Sequence, residues 1–278
     1  MESSKIPWFP DDTEVWGVND SSLVVGDYGG GHGLLYNPHN INNPYTTLSD
    51  PSGSTGTYAF GINNNGQFVG AYNSGGFHGF ALLNLFAGYI TLDDPSATNG
   101  TYAYGINDSG LIVGSYYTGV TESSVHGFLY NSNNNTYTTL DDPLGTEGTA
   151  ARGINNKGQI VGYYHNGSGT HGFVYSNGAY TTLDEPSASG NTFVNGINDS
   201  GLMVGSYYDS GGHQHGFLAT PEPNPPPPAA TTADMILRHG ADGLYEIYDI
   251  GNNAILAGYS LGQVGTEWRF YEIGRAHV

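Results

Sequence analysis

Apolar and polar positions alternate in short runs through the first 220 residues, and no stretch there sustains a helical period. One clear set of runs is Thr101–Asn107, Leu111–Tyr117, His126–Tyr130 and Tyr137–Leu140. Tyr, Ile, Val, Phe and Thr dominate these runs, and such residues suit a pleated, half-buried surface. Gly, Asn, Asp, Ser and Pro separate them. Asn107-Asp108-Ser109-Gly110 predicts a hairpin turn, because Asn, Asp and Gly tolerate positive φ. Ser132–Asn135 predicts a second turn. The pattern therefore reads as four short antiparallel strands, A to D, in a unit of about 40–50 residues.

The unit recurs. Gly-(Val/Ile)-Asn-(Asp/Asn) begins at Gly17, Gly61, Gly105, Gly153 and Gly196, at spacings of 44, 44, 48 and 43 residues. His-Gly follows in each copy, at His32, His78, His126, His171 and His215. A third phrase, fullest as Tyr-Thr-Thr-Leu-Asp-Asp-Pro, occupies Tyr45–Pro51, Tyr89–Pro95, Tyr137–Pro143 and Tyr180–Pro186. Five copies of a four-strand unit predict an all-β, five-bladed β-propeller. The last copy stops after its C strand, His215–Ala219, and Pro7–Asp12 looks like a D strand placed before the first A strand. The N-terminal segment is therefore expected to close the ring as the outer strand of the last blade, which would remove an exposed edge. An open array with further repeats upstream is the alternative.

The phrases Gly-Ile-Asn-x-x-Gly-x-x-Val-Gly-x-Tyr and His-Gly-Phe-x-Tyr resemble those of the HAF-type extracellular repeat family of bacteria, over about residues 8–220. That resemblance implies a secreted or cell-surface protein and brings no shared catalytic activity with it. The expected organisation is a propeller over residues 1–220, a Pro-rich linker over 221–232 and a partial unit over 233–271. The third segment, Ala233–Arg238 through Val264–Trp268, resembles one unit of an FG-GAP or VCBS-like repeat. One such unit cannot bury its faces alone. Residues 272–278, Glu-Ile-Gly-Arg-Ala-His-Val, read like a translated sequencing adapter and are excluded from fold reasoning. The chain is thus expected to be a metagenomic fragment of a longer protein. No signal peptide is visible in Met1–Trp8.

Composition narrows the function. Six Lys plus Arg against 25 Asp plus Glu give a formal charge of −19, which excludes a phosphate-neutralising nucleic-acid surface. No apolar run is long enough to span a membrane as a helix. The absence of Cys excludes disulfide and zinc-thiolate scaffolds. A monomer is expected.

Several columns of the repeat could carry chemistry. The acids before Pro (Asp11-Asp12, Asp50, Asp93-Asp94, Asp141-Asp142, Asp184-Glu185) fall where strand D leaves for the next blade. Asp50, Asp94, Asp142 and Glu185 are the candidate ligands for Ca²⁺, which takes carboxylate oxygens. Turn chemistry is the more economical reading, because the acid recurs in every copy. No other cofactor is expected. The His-Gly column reads as structural, and His213-x-His215 is the best local metal pair, though two ligands do not make a site. The Asn-Asp/Asn column reads as hairpin turns. A glycosidase needs two carboxylates near each other, and the A strands place only Glu14 towards the channel. Gly167-Ser168-Gly169 is no nucleophile elbow. What remains is a Tyr- and Asn-rich surface, with Tyr28, Tyr72, Tyr117, Tyr164 and Tyr208 at the ends of the B strands as candidate sugar-binding residues. The expected function is binding of a glycan or surface polymer without catalysis. The alternative is a polysaccharide hydrolase or lyase acting in the channel.

Overall fold

The computed structural model describes residues 12–49, 52, 55–83, 88–221, 233–238, 245–251, 254–260 and 268–272, with the segments beyond 221 described by backbone alone. Blade one holds β1 (Thr13–Val18), β2 (Val24–Tyr28), β3 (His32–Tyr36) and β4 (Tyr45–Leu48). Blade two holds β5 (Gly56–Ile62), β6 (Phe68–Asn73), β7 (Phe77–Leu82) and β8 (Ile90–Leu92). Blade three holds β9 (Thr101–Ile106), β10 (Leu111–Tyr117), β11 (Val125–Asn131) and β12 (Thr136–Leu140). Blade four holds β13 (Thr149–Ile154), β14 (Ile160–Asn166), β15 (Gly169–Ser176) and β16 (Ala179–Leu183). Blade five holds β17 (Thr192–Ile197), β18 (Met203–Tyr208) and β19 (Gln214–Pro221). Each blade is an antiparallel meander, and together they form the expected five-bladed propeller.

The polypeptide divides into two units, Met1–Leu218 with Glu272–Val278, and Ala219–Tyr271. Within the second, β20 (Ala233–Arg238), β21 (Tyr245–Gly251) and β22 (Ala254–Ser260) make a three-stranded antiparallel sheet. A further strand is β23 (Trp268–Glu272). The closing strand expected of Pro7–Asp12 belongs at the outer edge of the fifth blade. Residues 1–11, like 222–232 and 273–278, lie outside the described residues.

The core lies between blades. Val25 and Leu48 of blade one pack with Ala59, Phe68, Tyr72 and Phe80 of blade two. Val69, Ala81 and Leu92 repeat this against Ala103, Ile112, Tyr116 and Phe128. Val113 and Leu140 do so against Ala151, Ile160, Tyr164 and Phe173. A Phe at the same place of the third strand is fully buried in blades two to five (Phe80, Phe128, Phe173, Phe217), each worth about 1.5–3 kcal/mol of hydrophobic stabilisation.

The repeated phrases explain the spacing. The Gly of Gly-Ile-Asn lets neighbouring inner strands touch backbone to backbone. A Cβ on Gly61 would sit 2.6 Å from the Tyr104 carbonyl oxygen and 3.2 Å from the Gly105 Cα. The Asn after it has two tasks. Its Oδ1 accepts the N–H groups two and four residues on, as Asn107 does from Ser109 and Leu111. Its Nδ2 donates to the next blade: Asn19 to the Asn63 carbonyl at 3.0 Å, Asn63 to Asn107 at 2.9 Å, Asn107 to Asn155 at 3.1 Å and Asn155 to Asn198 at 3.0 Å. The turn was legible in the sequence; the link between blades was not.

Candidate functional site

The five inner strands surround a central channel. At one end the turns after β1, β5, β9, β13 and β17 converge on a cavity of about 360 Å³, lined by Val18, Ile62, Ile106, Ile154, Ile197 and the Asn-Asp/Asn pairs that follow them. Acid and amide alternate there as Asp20, Asn64, Asp108, Asn156 and Asp199. Each amide bridges its neighbours: Asn64 Nδ2 donates to Asp20 and Asp108, and Asn156 Nδ2 donates to Asp108 and Asp199, at 2.8–3.3 Å. Backbone N–H groups reinforce the series, each donating to the next residue's Oδ1. The Asp/Asn alternation weakens the column as a calcium loop and strengthens it as a polar ring.

Two residues further up the channel, every inner strand carries a β-bulge. The register skips one residue in each: Trp16, Phe60, Tyr104, Arg152 and Asn195. A bulge leaves its extra residue out of the ladder and re-aims the side chain. Four of these five residues touch around the channel. Trp16 meets Phe60 edge-on at 6.1 Å, Phe60 meets Tyr104 at 5.3 Å, and the Arg152 guanidinium lies 4.0 Å from the Tyr104 ring centroid. Above them Tyr58 and Tyr102 stack on Phe60 and Tyr104, and Phe193 packs edge-on against Tyr163. Burial raises the Tyr102, Tyr104 and Tyr117 phenols above their ordinary value, so their hydroxyls stay protonated and can both donate and accept.

The structure splits the five candidate tyrosines. Tyr28, Tyr72 and Tyr164 stand opposite the His of the His-Gly phrase and hydrogen-bond Thr47, Thr91 and Thr182 of the outer strands. Tyr72 and Tyr164 are buried, and all three belong to blade packing. Their counterparts in blades three and five are Tyr116 and Tyr207, which stack on His126 and His215. Tyr117 and Tyr208 are one residue further and so face the other way, towards the aromatic layer, at 5.6 Å from Tyr102 and 6.3 Å from Phe193.

The His column pairs with the first acid of the D phrase: His78 with Asp93, His126 with Asp141 and His171 with Asp184, at 2.7–2.9 Å. In blade four Ser168 Oγ lies 2.8 Å from His171 Nε2, which reproduces the connectivity of a Ser-His-Asp triad. The Ser168 hydroxyl also lies 2.6 Å from Asn166 Oδ1, and the His–Asp pair recurs in blades two and three without a serine. Its repeated role is to tie the fourth strand to the third. His215 instead bonds Asp209, which also receives the Gly211 and His213 N–H groups.

The second acids of the D phrase are turn caps. Asp94, Asp142 and Glu185 are buried and accept the N–H groups of Ser96, Leu144 and Ser187, while their own N–H groups donate to Thr101, Thr149 and Thr192. Asp50 lies outside the described residues. Among the described residues no three His, Asp or Glu side chains are grouped as metal ligands.

One acid escaped the sequence reading. Asp27 on β2 stands directly across from Glu14 on β1. It is buried, accepts a 2.8 Å hydrogen bond from Trp16 Nε1, and has its pKa raised by burial. Asp27 lies on a second strand, outside the inner-strand positions among which Glu14 is the one acid.

Residues 88–181 match the profile of a family described as "Protein of unknown function (DUF3466)". No curated protein matches the chain in sequence. Among solved structures, a gluconolactonase from Xanthomonas campestris is similar at 11% identity and a TM-score of 0.44, covering 86% of this chain and 84% of that one. A lectin of Aleuria aurantia in complex with α-methyl-L-fucoside is similar at 13% identity and a TM-score of 0.43, over 74% and 72%. An ulvan lyase of polysaccharide lyase family PL25 is similar at 10% identity and a TM-score of 0.40, over 90% and 78%.

Proposed function

We propose that this chain is a HAF-type repeat propeller, secreted or displayed at the cell surface, that binds a glycan in its channel without chemically changing it. One observation carries the reading: the bulge column and the layer above it form a continuous aromatic surface with protonated hydroxyls, from Trp16 through Phe60, Tyr102 and Tyr104. Apolar sugar faces stack on such rings, and sugar hydroxyls pair with phenols and amides. A second reading, polysaccharide cleavage, is favoured by the Glu14–Asp27 pair. Cβ atoms of directly opposed residues lie about 4.5–5.5 Å apart, and two carboxylates in unlike surroundings suit acid–base work.

One experiment tests both. The protein is titrated calorimetrically with a panel of oligosaccharides, and the same samples are assayed for new reducing or unsaturated ends. Binding that Tyr102→Ala weakens at least tenfold, with no new ends, is the expected result. New ends that vanish in Asp27→Asn support cleavage instead. No binding to any member, or binding indifferent to Tyr102, overturns the first reading.

A further inference from the structure

Arg152 breaks the pattern of its column, where the preceding blades place Trp16, Phe60 and Tyr104. Between residues 12 and 221 the sequence holds two permanently charged cations, Arg152 and Lys157. One of this scarce pair sits at a channel bulge. Among the described residues, no carboxylate lies within 4.0 Å of its guanidinium, although acids outnumber cations several-fold. Its nearest groups are neutral: Nη2 donates to the Tyr163 hydroxyl at 2.7 Å, and the Tyr104 and Tyr163 rings lie 4.0 and 5.2 Å from its carbon. Its Nε is buried and makes no hydrogen bond.

A charge withdrawn from water without a counter-ion is costly, and the rings offset only part of that cost. Blade construction does not demand it, since an aromatic residue fills the same place in three other blades. A planar guanidinium with unfilled donors is suited to holding a carboxylate through paired hydrogen bonds. We infer that Arg152 is the recognition point for a carboxylate-bearing sugar of the uronic-acid class, held in the channel with its ring against Tyr102 and Tyr104. The inference rests on the glycan reading above and names its ligand class. The net charge of −19 repels such a ligand at long range, and salt screens that repulsion more than it screens a contact inside the channel. Affinity should therefore rise, not fall, between low and physiological ionic strength.

The test titrates the protein with trigalacturonate, its methyl ester and acetate. The variants are Arg152→Lys, which keeps the charge but loses the fork, and Arg152→Phe, which restores the residue type of Phe60. The expected result is at least tenfold tighter binding of the free acid than of the ester. Arg152→Lys should narrow that preference and Arg152→Phe abolish it, with the Phe variant melting no lower than the parent. Equal binding of acid and ester overturns the inference and leaves glycan binding standing. Acetate binding that depends on Arg152, with no gain from any sugar, supports a carboxylate site and overturns the glycan reading. A Phe variant that melts lower, from a parent indifferent to trigalacturonate, assigns Arg152 to packing and overturns the inference.

Discussion

Where blades two and three meet, Val69 and Ala103 are fully buried. On the facing sides of blades five and one, their counterparts Val204 and Val15 are 45% and 59% exposed. The same contrast runs through every device of the repeat. A Cβ on Gly61 would strike the next inner strand, and one on Gly17 or Gly153 would come close to it; on Gly196 the nearest atom is Val204 Cγ2 of its own blade, at 3.4 Å. Asn19, Asn63, Asn107 and Asn155 each bond the next blade, but Asn198 makes no such bond to Asn19. Trp16 and Val18 are 54% and 67% exposed, while Ile106 and Ile154 are buried. Nearly identical units thus build four packed seams, while the sides that blades five and one bring to a fifth, loose seam stay exposed. What stabilises a blade here is the neighbour more than the unit itself.

Substitutions made at matched positions break or sharpen this contrast. The largest effect is expected from Gly61→Ala, which drives a methyl into the Tyr104 carbonyl and should cost about 3 kcal/mol in urea unfolding; Gly196→Ala should stay within about 0.5 kcal/mol. Next comes Asn107→Ala, which strips two turn N–H groups of their acceptor and cuts the link to Asn155. It should cost about 2 kcal/mol against about 1 kcal/mol for Asn198→Ala, which loses turn bonds alone. Equal costs within either pair would show that the fifth seam is packed in solution.

The smallest effect belongs to Asp27, the carboxylate that blade one places where blades two, three and five have Ala71, Ser115 and Ser206. Burial raises its pKa, so the folded protein holds this proton more tightly than the unfolded chain does. Its contribution favours folding in acid and fades as pH rises through the raised value. Asp27→Asn keeps an acceptor for Trp16 and carries no charge. It should therefore raise Tm by about 2 °C at pH 7 and leave it unchanged below the ordinary carboxylate range, as calorimetric scans at both pH values would show.

Much of the architecture was legible in the sequence, because the signals are local to one copy. Thr101–Asn107 alternates, Asn107–Gly110 turns, and the phrase recurs in register. What one copy does for the next was hidden. Nothing in the phrase Gly-Ile-Asn announces that its Gly meets a neighbour's backbone or that its Asn reaches a carbonyl 44 residues away. The five chosen tyrosines divide between two faces for a related reason: in Tyr116-Tyr117 and Tyr207-Tyr208 a step of one residue reverses the face, so Tyr117 and Tyr208 meet the aromatic layer while Tyr28, Tyr72 and Tyr164 pack within their blades. Arg152 stood in plain sight in the bulge column, but a search for paired carboxylates passes over a lone cation.

The polar ring at the channel mouth has a consequence of parity. Carboxylates and amides can alternate without conflict only around an even number of positions. With five, two like members must become neighbours somewhere, and the order Asp20, Asn64, Asp108, Asn156, Asp199 makes them Asp199 and Asp20. That unbridged pair falls at the loose seam. An odd ring of alternating partners therefore comes with a built-in weak joint, and here the first and last copies of the repeat stand on either side of it.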